Sequence, residues 1–462
     1  IVDFSGNNIA RLSHLKISFK ATFDDDVLYN QPETRQFKKD WTEIPAERAA
    51  RKDRNLFGMD KIDLKYTPRN DSQGTGTPDN ACIGREVYCY DRFREQDLLA
   101  PYSNLGSVTL NNGLSSKSGT MELVECVDKA FLKKRYSKSD RKGNLYKCAK
   151  NVAGARANFK GDNAIDKTGG TNGNAPLDSR GFEIGTRKAK GIIGVEDCFN
   201  GYDPVYQLKT NDDLGEGADF SDLAKVIAKL HSIVSFGNIS SANKLNELNS
   251  MLDMDSFLRF SAVSYLLGNV DDQRNAGNNF YLYFVPSTKK MTFIAYDWDW
   301  CLGSAYDGKD MLTINPLDTY VPEGGDENKD LGTSGGGIGG GTRPGAQTSE
   351  AQTITTDDRS YTGYENNLFW STILTPRSPK CATNGSMDYV SGLQQTYLNY
   401  VKNLQTNVLN YSYFVSNITN NFKIVDPTLR LDDEKNKVNT YMSGKKTRLS
   451  AYFNAHPLPT NN

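Results

Sequence analysis

The sequence predicts an α+β protein, strand-rich in its first part and helix-rich later. Two stretches within the first 70 residues, "LKISFKATF" and "KIDLKY", alternate polar and apolar groups and read as strands. From Phe220 onward, apolar residues recur at helical spacing. Stretches rich in Gly, Asn and Asp separate these regions and read as loops, and no internal repeat is present.

The elements follow in order. Residues 84–98, "GREVYCYDRFREQDL", read as a helix, with Val87, Tyr90 and Phe93 every three residues and charges between. "GSVTL" and "GTMELVECV" read as two strands around an "NNG" turn. Residues 163–181 read as a loop. "DLAKVIAKLHSIV" is an amphipathic helix in which His231 reads as structural. "DSFLRFSAVSYLLGN" is apolar almost all round and reads as a buried helix stopped at Gly268. "NFYLYFV" (Asn279–Val285) and "MTFIAY" (Met291–Tyr296) are strand-like, and "PSTKK" between them makes a hairpin. Residues 321–363, with "GTSGGGIGGGTRPG", cannot bury a core and are expected to be mobile. They contain no G-x-x-x-x-G-K-[ST] phosphate loop. Residues 386–455 return to helix, best in "YVSGLQQTYLNYVKNL" and "EKNKVNTYMSGKKTRLSAYF".

Composition narrows the function. With 55 basic and 56 acidic residues the net charge is −1, which gives no support for a nucleic-acid partner. No apolar run reaches the roughly 18 residues of a membrane span. No signal peptide is visible, but the chain begins at Ile1, so this says little. Only three histidines occur and the seven cysteines form no tight pair, which argues against a structural zinc site and against Ser-His-Asp or Cys-His chemistry. Those cysteines, with N-x-S/T sequons at Asn70, Asn238, Asn384, Asn410 and Asn417, favour a secreted glycoprotein with one to three disulfides over a cytosolic chain. The odd count leaves at least one thiol unpaired or paired outside this chain.

The chemistry concentrates in "NVDDQRNAGNNFYLYFVPSTKKMTFIAYDWDW". Asp297 and Asp299 stand two residues apart in an apolar, aromatic run, where a carboxylate is costly unless paired or bound to a cation. A hairpin turn centred on Thr288 sets Asn279 beside Asp297, and Asp271 and Asp272 lie in the loop leading to the same end. Oxygen ligands of this kind suit Mg²⁺, Mn²⁺ or Ca²⁺. On one extended segment Asp297 and Asp299 would point to the same side. A loop aspartate as base, an asparagine and then an aspartate on metal is the order of parts in protein-kinase catalysis. Ordinary turn chemistry at a hairpin end is the alternative reading of these residues.

Several motifs resemble the spore coat protein H (CotH) kinase family. "GNNFYLYF" and "FIAYDWDWCLG" are similar to its "HNYYLY" and "WDxDxxxG" signature, with Asn278 in place of the histidine and Tyr296 in place of the tryptophan. "YQLKTNDDLGEGADFSDLAKVI", "GTMELVECVDKAFLKKRYSKSDRKGNLYKC" and "SGNNIARLSHLKISFK" resemble further family segments, the last with Ser5 in place of an arginine. The likeness spans roughly residues 4–303 and, more weakly, the C-terminal helices.

The resemblance implies an atypical protein-kinase-like, two-lobed domain over residues 1–455, with a strand-rich N-lobe at about 1–150, a helical C-lobe at about 195–455 and a tail at 456–462. It implies a monomeric, secreted or spore-coat enzyme that uses ATP and Mg²⁺ or Mn²⁺ to phosphorylate Ser/Thr of a protein. By the same analogy Asn279 and Asp297 hold metal with Asp299 assisting, and Asp271 or Asp272 is the catalytic carboxylate, with Asp271 preferred for its "N-x-D" setting. Lys16 or Lys20 would meet the phosphates and Glu86 would hold that lysine, while Glu125 would lie near the adenine or cap a turn. The lost arginine and the doubled aspartate keep a second expectation open: an inactive kinase-like surface protein that works by binding. A structural coat component, or a part of an assembly on plant polysaccharide, is a third.

Overall fold

The computed structural model describes residues 14–18, 55, 57–65, 84–111, 116–149, 157, 159, 206–211, 221–235, 241–305, 311–317, 387–425 and 431–459. Among the described residues, two four-stranded antiparallel sheets and a set of helices make an α+β fold.

The first sheet holds β1 (His14–Ser18), β2 (Lys61–Lys65), β3 (Ser103–Asn111) and β4 (Ser116–Glu125), in the order β1-β2-β4-β3. Alternation along β2 sends Ile62 and Leu64 into a small apolar cluster with Met121. Asp63 and Lys65 therefore face the other side. There Lys65 lies opposite Glu122 of β4. Helix α1 (Arg85–Arg94) covers that side; Val87, Tyr90 and Phe93 are all buried, as their spacing predicts.

The second sheet holds β5 (Leu145–Cys148), β6 (Tyr206–Leu208), β7 (Phe280–Val285) and β8 (Lys290–Ala295), in the order β6-β5-β7-β8. Helix α2 (Lys129–Arg135) lies between the sheets in sequence, and Asp128 caps it by accepting from the N–H groups of Ala130 and Phe131. The later helices are α3 (Ser221–Ser235), α4 (Ser241–Met251), α5 (Met254–Leu267), α6 (Met387–Val408) and α7 (Asp432–Ala455). Short helical turns, one of them the π-helical Phe414–Thr419, join α6 to α7.

An aromatic core fixes these parts to one another. Phe293 of β8 meets Phe260 of α5 at 5.6 Å and Phe280 of β7 at 5.8 Å between ring centres. Phe93 of α1 packs on Phe260 and Trp298 at 4.9 and 4.7 Å, so α1 is seated on the second sheet's core. Each such pair adds about 0.5–1.5 kcal/mol beyond its buried area. Ala295 donates to the Leu99 carbonyl at 3.0 Å, which ties the chain after α1 to β8.

Helix α5 is buried nearly all round and ends at Gly268, as expected from sequence. Gly268 has φ 70°, and a Cβ there would stand 2.0 Å from the Tyr441 hydroxyl, so glycine is required twice over. The strands β5 and β6 and the helix α2 are too short for periodicity to reveal. His231 lies in α3. The stretches 163–181 and 321–363 fall outside the described residues. Cys89, Cys148 and Cys301 are buried free thiols, with the Cys89 and Cys301 sulfurs 3.4 Å apart. Cys82, Cys198 and Cys381 lie outside the described residues. Among the described residues no helix is long and apolar enough to cross a membrane.

Candidate active site

Three elements converge on one ammonium group. The end of β2 supplies Lys65, the first turn of α1 supplies Glu86, and the segment after β8 supplies Asp297. Lys65 Nζ stands 2.6 and 2.7 Å from the two Glu86 oxygens and 2.6 Å from Asp297 Oδ1. Those contacts use all three ammonium protons. Lys65 and Glu86 are buried, Asp297 half-buried. Burial alone would lower the Lys65 ammonium, but the carboxylates of Asp297 and then Glu86 outweigh it and hold it well above the usual lysine range.

Further bonds keep Glu86 in place. The Tyr90 hydroxyl, one helical turn on, donates to Glu86 Oε1 and accepts the Asp297 backbone N–H at 2.9 Å. The Trp298 N–H reaches the same Glu86 oxygen at 3.4 Å. Burial, then the neighbouring Glu86 carboxylate, pushes the Tyr90 phenol well up, so it stays a donor. Asp299 is buried close enough to act electrostatically on Lys65.

The loop after α5 builds the other side. Asn269 donates to the Asp297 carbonyl at 3.3 Å and accepts the Asp271 N–H at 2.8 Å, so it couples the two aspartate segments. Asp271 is half-buried, and its Oδ2 accepts from the amides of Asn278 and Asn279 at 3.0 and 2.9 Å. With its Nδ2 so engaged, Asn279 has Oδ1 to offer a cation. Asp272 turns the other way, into the core: it accepts from Ser264 Oγ, and from the Asn275 N–H at 2.9 Å. Burial raises the Asp272 carboxyl.

The geometry differs from the sequence expectations at several points. Glu86 meets Lys65, which the sequence reading did not single out, whereas the expectation for Lys16 and Lys20 falls outside the described side chains. Lys16 stands in β1 opposite Asp63, and Lys20 lies outside the described residues. The Glu125 carboxylate is engaged by Arg135 at 2.6 Å, Lys134 at 3.1 Å and the Tyr102 N–H at 3.1 Å. The ladder pairs Phe280 with Ala295 and Val285 with Lys290, so Asn278 rather than Asn279 would fall across from Asp297 if it continued. It does not continue: Asn279 and Asp297 both adopt left-handed φ, 58° and 59°. Asp297 is thus not on an extended segment, and period-two alternation does not relate it to Asp299. Asn and Asp tolerate this conformation better than other non-glycine residues. Sequence reasoning missed Lys65, Tyr90 and Asn269. A tyrosine four residues after a glutamate on a buried helical face was the available signal for Tyr90.

The donor set is hard oxygen throughout: the carboxylates of Asp271, Asp297 and Asp299 and the Asn279 amide. Among the described residues no three His, Cys, Asp or Glu side chains form an all-protein cage. Mg²⁺ does not need one, since it takes one or two carboxylates and completes its shell with water and phosphate oxygens.

A comparison with curated proteins gives no match. The family model described as CotH kinase protein matches residues 50–342, more than half of the chain. That span includes Lys65, Glu86, Asp271, Asn279, Asp297 and Asp299, and excludes the opening stretch with Lys16 and Lys20. With this match and the lysine–glutamate–aspartate junction described above, the chain belongs to the CotH kinase family.

Proposed function

We propose that the chain is a metal-dependent protein kinase that transfers the γ-phosphate of ATP to Ser or Thr of a secreted or coat protein. The observation that carries this is the buried Lys65–Glu86 pair with Asp297 as the lysine's third partner. A lysine held by a helix glutamate, next to a metal-binding aspartate, is the phosphate-holding arrangement of protein kinases.

When bound, ATP supplies the phosphoryl group, and a divalent cation offsets the charge on its phosphates. Lys65, kept charged by its neighbours, would exchange its contact with Asp297 for phosphate oxygens while Glu86 fixes its direction. Asp297 and Asn279 would hold the cation, with Asp299 close by. Asp271 is the carboxylate placed to orient an acceptor hydroxyl and take its proton. It is half-buried and held by amide donors, whereas Asp272 is spent on the fold. The experiment is an ATP- and Mg²⁺- or Mn²⁺-dependent thermal shift. A shift in the wild type that Lys65→Met abolishes supports the reading; equal shifts in both contradict it.

A further inference from the structure

A second glutamate shares the face on which Lys65 stands. Glu122 of β4 pairs in register with Lys65 of β2, and cross-strand partners project to the same side. It is fully buried. Its Oε1 accepts the backbone N–H of Gly84 at 2.6 Å. Gly84 is the residue that begins α1, where N–H groups lack helical partners. Glu122 Oε2 is buried with no hydrogen-bond partner among the described residues. Lys65 cannot serve it, because its three N–H groups go to Glu86 and Asp297.

An ionised carboxylate in that position would be an uncompensated buried anion. It would also compete with Glu86 for the one ammonium group. Glu86 faces it from α1, Lys65 from β2 and Asp299 from the segment after β8. Burial first, then the Glu86 charge, raises the Glu122 carboxyl well above its ordinary range; the Gly84 N–H and Lys65 offset this only in part.

We propose that Glu122 is a positioning residue: an uncharged hydrogen-bonding group that ties the start of α1 to the sheet and leaves Lys65 wholly to Glu86 and Asp297. The role rests on the kinase reading for its effect on catalysis, since Gly84 lies two residues before Glu86. It differs in kind from Glu86, whose charge is needed.

The test compares Glu122→Gln, Glu122→Ala and Glu86→Gln. Glutamine retains an acceptor for the Gly84 N–H and carries no charge. Glu122→Ala is expected to raise the KM for ATP by about tenfold, with Glu122→Gln restoring most of the loss, while Glu86→Gln lowers kcat/KM by roughly a hundredfold. Thermal unfolding against pH gives a readout independent of activity. Because the folded carboxyl is raised, its contribution is fully present below the unfolded value near 4.5 and is lost as the pH rises toward the folded value. The Tm of Glu122→Gln minus that of the wild type should therefore widen from about pH 5 to about pH 8. A constant difference overturns the proposal, and so does a Glu122→Gln defect as large as that of Glu86→Gln. If the wild type neither transfers phosphate nor responds to ATP, the kinase reading fails. The pH series then still decides whether Glu122 is the neutral tie.

Discussion

Arg85 and Glu434 form a buried two-point ion pair that fastens α1 to α7, the first and last of the described helices. Arg85 Nη2 donates to Glu434 Oε2 at 2.7 Å, and Nη1 donates to the Cys301 carbonyl at 2.9 Å. Arg85 immediately precedes Glu86, so the pair holds the turn that carries the glutamate. Glu434 lies beyond the residues matched by the family model. Glu434→Ala leaves a buried guanidinium without its carboxylate, and a loss of about 3–5 kcal/mol is expected. Urea denaturation checks it, and an unchanged midpoint would contradict the anchoring role.

Asp271 and Asp272 are neighbours in sequence whose carboxylates bond on different sides, Asp271 to the amides of Asn278 and Asn279 and Asp272 to Ser264 and Asn275. Asp271→Asn should abolish phosphate transfer while leaving the Tm nearly unchanged. Asp272→Ala removes the partner of Ser264 and Asn275 and should lower stability by about 1–3 kcal/mol. Measuring Tm and transfer on both variants separates the two. A stable, fully active Asp271→Asn would remove it from the mechanism.

Gly84 has φ 91°, and a Cβ there would lie 2.3 Å from the Phe422 ring and 2.6 Å from Ile418. Backbone strain and overpacking act together in Gly84→Ala, for an expected cost of about 2–4 kcal/mol. Because the displaced residue starts α1, ATP binding should weaken along with stability. Equilibrium unfolding and an ATP titration on the same preparation read both.

Burial would raise the Glu125 carboxyl, but hydrogen bonds and charge from Arg135, then the Tyr102 N–H and Lys134, bring it below its ordinary range. A lowered folded value contributes stability that is present above the unfolded value near 4.5 and lost as the pH falls through the folded one. Glu125→Gln should therefore lower the Tm at neutral pH and converge with the wild type in acid. Parallel Tm curves down to about pH 3 would contradict this.

Local elements were the legible part. The β7–β8 hairpin, the buried α5 and its stop at Gly268 each follow from periodicity and one turn residue. Glu86 stood out because it opens a helix. Lys65 did not, although "KIDLKY" reads as a strand. What selects Lys65 is the non-local pairing of β2 with β4 under α1, and no local pattern reports that pairing. Asp297 was legible as a residue but not in conformation, since nothing local announces a left-handed aspartate at a strand end. Sequence alone does not tell which way Asp271 and Asp272 face; the bonds of Asp272 to Ser264 and Asn275 show that it turns into the core.

The central claim is that the Lys65–Glu86–Asp297 junction holds ATP for transfer. Intact-mass spectrometry tests it most directly. The purified chain would be incubated with ATP and Mg²⁺ or Mn²⁺ and a Ser-rich acceptor protein, beside Lys65→Met and Asp297→Ala. The account predicts mass gains of one phosphate each on the acceptor or the chain itself, lost in both variants. Gains that persist in Lys65→Met, or no gain in the wild type under either metal, would contradict it.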